Sequence, residues 1–147
     1  MAKKIISELR KPFFVYDVNN EYGTGKTLPT ISEFLSLVCD ETKVKNSVIL
    51  FEEATIFFNH SKSEKVTNLL VRKRHTRNCI IFLFHSLADV PPYILRLIDF
   101  IILFATNDNP GVIERKFKDF PEILTLYHDV LKGKQTNFHF CKVKALF

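Results

Sequence analysis

Short apolar runs alternate with amphipathic stretches along the chain, a pattern that predicts βα units around a mostly parallel sheet. Four runs read as strands: Pro12–Val18, Ser47–Phe51, Asn78–Phe84 and Asp99–Ala105. Each is nearly continuous in apolar residues, as in strands buried on both faces, so helices are expected on both sides of the sheet. Ile31–Cys39 carries Ile31, Phe34, Leu35 and Val38 at helical spacing, and Ser63–Arg74 carries Val66, Leu69 and Leu70 inward with basic residues outward. Pro91-Pro92 opens a third helix with Ile94, Leu95 and Ile98 as its stripe, since proline suits a first helical turn. Past the turn signal Asn107-Asp108-Asn109-Pro110-Gly111, a short helix is expected over Val112–Phe117 and a last one over Pro121–Leu131, stopped by Gly133. Thr136–Val143 alternates like an edge strand. Ala2–Arg10, with Ile5, Ile6 and Leu9 on one face, reads as a helix of under three turns, too short to be stable alone.

Where the second strand ends, the chemistry begins. Val48-Ile49-Leu50-Phe51 runs directly into Glu52-Glu53, and open α/β sheets bind their ligands at the C-terminal ends of strands. That is the layout of a Walker B strand, in which Glu52 would hold Mg²⁺ and Glu53 would polarise the attacking water. A strand ending in two solvated charges gives the same letters.

Gly23-Thr24-Gly25-Lys26-Thr27 contains the GKT ending of a phosphate-binding loop, in which Gly25, Lys26 and Thr27 would cradle phosphate. The first glycine of GxxxxGK[ST] is replaced by Asn20, and Pro29 stands where backbone donors are needed, so an ordinary turn competes with that reading. Arg72-Lys73-Arg74-His75-Thr76-Arg77 ends the second helix. It suits a solvated helix end facing the dipole, an arginine finger reaching a neighbouring subunit, or contacts to nucleic-acid phosphates. His85-Ser86 are the first polar residues after the third strand, where a side chain could sense a terminal phosphate or serve only structure.

Composition narrows the choice modestly. At 147 residues the chain fits one domain. Its net charge of +5 suits a polyanionic partner or simply favours solubility. Cys39, Cys79 and Cys141 show no CxxC spacing, which points to core thiols in a reducing compartment, and the five histidines show no metal-ligand spacing. The apolar runs fall far short of the roughly 18 residues of a membrane span, so a soluble intracellular protein is expected.

Taken in order, Asp17-Val18-Asn19-Asn20-Glu21-Tyr22 after the first strand, the Glu-Glu strand, the basic helix end and His85 after the third strand resemble the HerA/FtsK-like P-loop ATPases, including the filamentous-phage Zot-like and viral DNA-packaging branch. The similarity covers roughly residues 3 to 108. It implies a three-layer P-loop NTPase-like α/β fold, mostly parallel with helices on both faces, whose first strand and phosphate loop would lie upstream of Met1. Residues 1–147 would then be one partial ATPase domain, with core 3–108 and a C-terminal helix and edge strand in 110–147. By the resemblance, Asp17 and Glu21 (of a D-x-x-x-E-Y-like motif) bind nucleotide, Glu53 and Glu52 serve catalysis with Mg²⁺ on Glu52, and Arg74 is the finger. Arg72 and Arg77 are alternatives for that finger, or with Lys73 would contact nucleic acid. The family's sensor is commonly Gln, where this chain has His85. The implied cofactors are Mg²⁺ and ATP, the implied partners DNA and further copies in a ring, and the implied location the cytoplasm, of a host or with a virion if the protein is viral.

Overall fold

Three of the four apolar runs pair as a parallel sheet, β1 (Phe13–Tyr16), β2 (Val48–Phe51) and β3 (Cys79–Phe82), in the order β1-β2-β3. The computed structural model describes residues 4, 7, 8, 10–23, 30–58, 63–135 and 141–146. It divides into two units, Met1–Phe84 and His85–Phe147. Most of the expected helix over Ala2–Arg10 and all of Gly25, Lys26 and Thr27 lie outside the described residues.

In the first unit the register is straight: Phe14 stands beside Ile49 and Ile80, and Tyr16 beside Phe51 and Phe82. Central β2 is wholly buried, which the β-branched and aromatic side chains of Val48-Ile49-Leu50-Phe51 favour. Alternation divides the strands into two faces. On one, Phe14, Tyr16, Ile49, Phe51, Ile80 and Phe82 meet Phe34, Leu35 and Val38 of α1 (Ile31–Val38) and Val66 and Leu69 of α2 (Ser63–Thr76). Phe51 is the hub, its ring centroid 4.7 Å from Phe57 and 5.3 Å from Phe34, both edge-on, and 4.8 Å from the stacked Phe82. Val15, Val48 and Leu50 form a second cluster on the opposite face with Phe13, Tyr22, Cys79, Ile81 and Leu83.

Both described helices of this unit therefore cover the same face, where helices on both faces are expected from the apolar runs. Handedness explains it: the strand order advances in one direction, and two right-handed crossovers then place their helices on one side. The P-loop-type three-layer arrangement is thus not reproduced among the described residues.

Each helix carries its own end signals. The Thr30 hydroxyl accepts from the Glu33 N–H at 3.2 Å and donates to the Glu33 carboxylate at 2.7 Å, closing the first turn of α1. At the end of α2 the Asn78 N–H reaches the Lys73 carbonyl at 3.1 Å and the Arg77 N–H the Arg74 carbonyl at 3.4 Å. That is a Schellman ending with Arg77 left-handed at φ 56°, a position that glycine usually takes. Arg77→Gly is expected to stabilise the fold by about 0.5–1 kcal/mol, relieved backbone strain outweighing the added freedom of the unfolded chain. Chemical denaturation checks it, and a destabilised variant would show that the Arg77 side chain contributes packing.

The second unit departs from the sequence reading in three places. The fourth apolar run, β4 (Phe100–Phe104), does not join the parallel sheet; it pairs antiparallel with β5 (Cys141–Ala145). Nor is it buried on both faces, for Phe100 and Phe104 are 60% and 43% exposed. β5 coincides with the expected Thr136–Val143 edge strand over residues 141–143 and runs on to Ala145, while residues 136–140 lie outside the described set. Leu103 and Lys142 share the inner face of the pair, with Lys142 bound at 2.7 Å to Asp129 of the last helix. Second, Pro92–Arg96 forms a 3-10 turn rather than an α-helix, though Ile94 and Leu95 are buried as expected. Third, after α3 (Pro110–Lys116), the last helix α4 (Pro121–Lys134) runs through Gly133. One glycine costs a helix only about 1 kcal/mol, and the Lys134 ammonium beyond it holds the Thr106 carbonyl at 2.8 Å. Among the described residues no helix is long and apolar enough to cross a membrane.

Candidate functional site

The aligned ends of β1 and β2 place Asp17 beside Glu52, one residue past the pairs that close the ladder. By alternation both carboxylates share the face of Val15 and Leu50. The Glu52 N–H donates to the Tyr16 carbonyl at 3.4 Å, so the strands remain in register up to the acids. The loop after Asp17 then folds back on it. Asn20 adopts φ 55° and its N–H reaches the Asp17 carbonyl at 3.4 Å; asparagine tolerates that left-handed conformation better than most residues. The turn carries the Tyr22 N–H onto Asp17 Oδ2 at 2.7 Å.

Both acids are nearly enclosed, Asp17 at 4% exposure and Glu52 at 8%. Their environments push them apart. Burial alone would raise Asp17, but hydrogen bonds from the backbone of Tyr22, Glu21 and Asn19 and from the Glu52 carboxyl hold it below its ordinary value. Among the described residues no backbone donor of that kind acts on Glu52. Burial first, then the hydrogen bond and charge of Asp17, then the charges of Glu21 and Glu53, raise it to about 7. Tyr22, packed on the same face, is raised by burial and by the neighbouring acids. Asp17 Oδ1 and Glu52 Oε2 are buried with no donor among the described residues. A single proton carried by Glu52 lets the two carboxyls bond to each other, and a cation could take its place.

Glu53 is half-buried and leads into a 3-10 turn, Ala54–Phe57. The Ala54 N–H donates to the Leu83 carbonyl at 3.0 Å, fixing the chain just past Glu53 against the end of β3. Glu21 is exposed in the loop above Asp17. Glu52, Glu53, Asp17 and Glu21 are thus gathered at the C-terminal edge of the sheet.

The basic residues lie at the other edge. The Ser47 N–H donates to Asn78 Oδ1 at 3.1 Å and Asn78 Nδ2 to the Val44 carbonyl at 3.0 Å. The Asn46 N–H meets the Thr76 carbonyl at 2.9 Å. These bonds fix the end of α2, with Arg74 and Arg77, beside the start of β2, at the edge of the sheet opposite the acids. Within one chain Arg74 is not brought to Glu52 and Glu53. Arg72 is instead paired with Glu41 at 2.6 Å on the surface. His85 opens the second unit and is exposed. In that unit the Asp108 carboxylate accepts from the Ser86 hydroxyl and the Leu87 N–H, while its carbonyl accepts from the Tyr127 hydroxyl, all structural bonds.

Among the described residues no three metal-ligating side chains converge. Asp17 and Glu52 nonetheless offer two hard carboxylates with one buried, unclaimed oxygen each, and Mg²⁺ commonly takes one or two carboxylates and completes its shell with water and phosphate. The donor chemistry fits. No family model, curated protein or solved structure matches the chain.

Reading the sequence alone finds Glu52 and Asp17 as separate motif residues and misses that they form one buried pair. The signal was present in outline: each acid directly follows an apolar strand, and pairing the two strands flush puts the acids side by side.

Proposed function

We propose that the chain is the core of a Mg²⁺-ATP-driven DNA-translocating or DNA-packaging ATPase of the HerA/FtsK-like kind. The observation that carries this reading is the placement of Glu52 and Glu53 at the C-terminal edge of the buried central strand, with Asp17 beside them. Glu52 would hold Mg²⁺, which supplies charge neutralisation at the transferred phosphoryl group. Glu53 would orient and deprotonate the attacking water. An arginine of α2, Arg74 or a neighbour of it, would complete the site of an adjoining subunit, since it lies at the far edge of its own sheet.

The position of Arg72, Lys73, Arg74 and Arg77 also favours a second reading, a non-catalytic module that binds nucleic acid or a partner ATPase. Calorimetric titration with Mg²⁺ and a non-hydrolysable ATP analogue, repeated with DNA over a salt series, separates the two. In a protein that carries the phosphate loop the motor reading expects nucleotide binding that Glu52→Gln weakens at least about tenfold, with DNA affinity that responds to nucleotide. DNA binding that falls steeply with salt, is lost in Arg72→Ala/Arg74→Ala and ignores nucleotide would replace it with the second reading. Lys26→Ala adds one distinction: loss of nucleotide affinity in that variant would assign phosphate binding to Gly25, Lys26 and Thr27.

A further inference from the structure

We propose that Asp17 is a direct ligand of the divalent cation, so that the metal is held between two adjacent strands by Asp17 and Glu52 together. The inference rests on the reading of Glu52 as the metal-side acid and adds a second protein ligand from β1.

Four observations converge on it. The parallel register sets the two carboxyls side by side on one face of the sheet. Both are more than nine-tenths buried, where an isolated carboxylate would be costly. Asp17 Oδ1 and Glu52 Oε2 have no donor among the described residues, while the other Asp17 oxygen is tied at 2.7 Å to the Tyr22 N–H. That bond fixes the rotation of the carboxylate and leaves Oδ1 as the available ligand atom. Finally, among the described residues the charged side chains acting on Glu52 are Asp17, Glu21 and Glu53, all acids. Two buried acids in an acidic surround call for a positive species, and paired carboxylate oxygens select a hard cation such as Mg²⁺ or Mn²⁺ over softer metals.

The geometry also assigns a purpose to the loop Val18–Tyr22. Its left-handed Asn20 brings the Tyr22 N–H onto Oδ2, in the manner of an outer group that orients a metal ligand. Asp17 would therefore be held in place before the cation arrives.

Mn²⁺ serves as the probe. The complete chain is titrated with MnCl₂ at about pH 8, above the proton-sharing range of the pair, and free Mn²⁺ is followed by electron paramagnetic resonance with Mg²⁺ as competitor. The expected result is one bound Mn²⁺ displaced by Mg²⁺, with affinity lowered at least about tenfold in Asp17→Asn and in Glu52→Gln. Circular dichroism confirms that each variant folds. A measurement on the unsubstituted protein guards against variants that do not: Mn²⁺ should broaden the amide resonances of Asp17, Tyr22 and Glu52 before those of the surface acids Asp40 and Asp129. No Mn²⁺ binding, or broadening centred elsewhere, would overturn the site and leave the pair a proton-sharing one. Binding lost in Glu52→Gln but unchanged in Asp17→Asn would overturn the role of Asp17 and keep that of Glu52. Mn²⁺ held by both acids in a protein that carries the phosphate loop yet never binds or turns over nucleotide would uphold the site and overturn the ATPase reading instead.

Discussion

On the proposed ATPase reading, and in a protein that carries the phosphate loop, Glu53→Gln is expected to lower Mg²⁺-ATP turnover by about 10²–10⁴-fold, the usual contribution of a positioned general base, while nucleotide affinity stays within about twofold. The split follows from the geometry. Glu52 turns onto the face of Asp17 and away from solvent, whereas Glu53 is half-buried at the mouth of the same edge. Its backbone is held on the following side by the 3.0 Å bond from Ala54 to Leu83 and by the Ile56 N–H to its own carbonyl at 3.2 Å. A glutamine keeps the size and the hydrogen-bonding reach of the side chain but cannot take a proton from water. Turnover should therefore fall through kcat, with KM little changed, and a nucleotide-bound state should accumulate. Equal turnover in the variant and the parent would remove Glu53 from the chemistry. A rise in KM at constant kcat would make it a binding residue only.

The same edge of the sheet shows how far a sequence carries. Strands β1 to β3 were legible because each is a compact apolar run flanked by polar turns, and the acids were legible because they interrupt such a run at Glu52. The pairing of Asp17 with Glu52 was not, since it depends on β1 and β2 aligning flush, and no local pattern encodes register. β4 was legible as a strand but not as an antiparallel one. A continuous run such as Phe100-Ile101-Ile102-Leu103-Phe104 has the same composition whether both faces are covered or Phe100 and Phe104 stand out into solvent. The signal of its partner lies forty residues later, in the alternation of Cys141, Val143 and Ala145 with Lys142 and Lys144.

Helix placement was hidden for a different reason. The apolar stripes of α1 and α2 state that each packs on the sheet but not on which face; the crossover hand, applied to the observed strand order, does. That same direction of travel sends the end of α2 to the edge opposite the acids. A local reading of Arg72-Lys73-Arg74 cannot supply this fact, which sets Arg74 apart from the acids of its own sheet.

In metal-free buffer with chelator, stability is expected to fall by about 2–3 kcal/mol as pH rises from about 4.5 to about 7, and to change little beyond. The cause is Glu52, whose folded value of about 7 stands above its ordinary 4.5. Between those values the folded protein holds a proton that the unfolded chain has released. The extra stability is therefore complete below the lower value and lost as pH climbs through the upper one. Asp17 acts in a separate window: its folded value lies below 3.8, so its contribution is present above the unfolded value and disappears only in stronger acid. Glu21, Glu53 and Tyr22 face the pair as well, and the first two raise Glu52 in the same sense. Glu52→Gln should flatten the profile between pH 5 and 7 and make the chain more stable than the parent near pH 8, by about 2 kcal/mol, since an uncharged amide can donate to Asp17 Oδ1 without being ionised. Urea denaturation across that range measures both. A slope that survives in Glu52→Gln would assign the titration to another group and show that the two buried carboxyls do not share a proton.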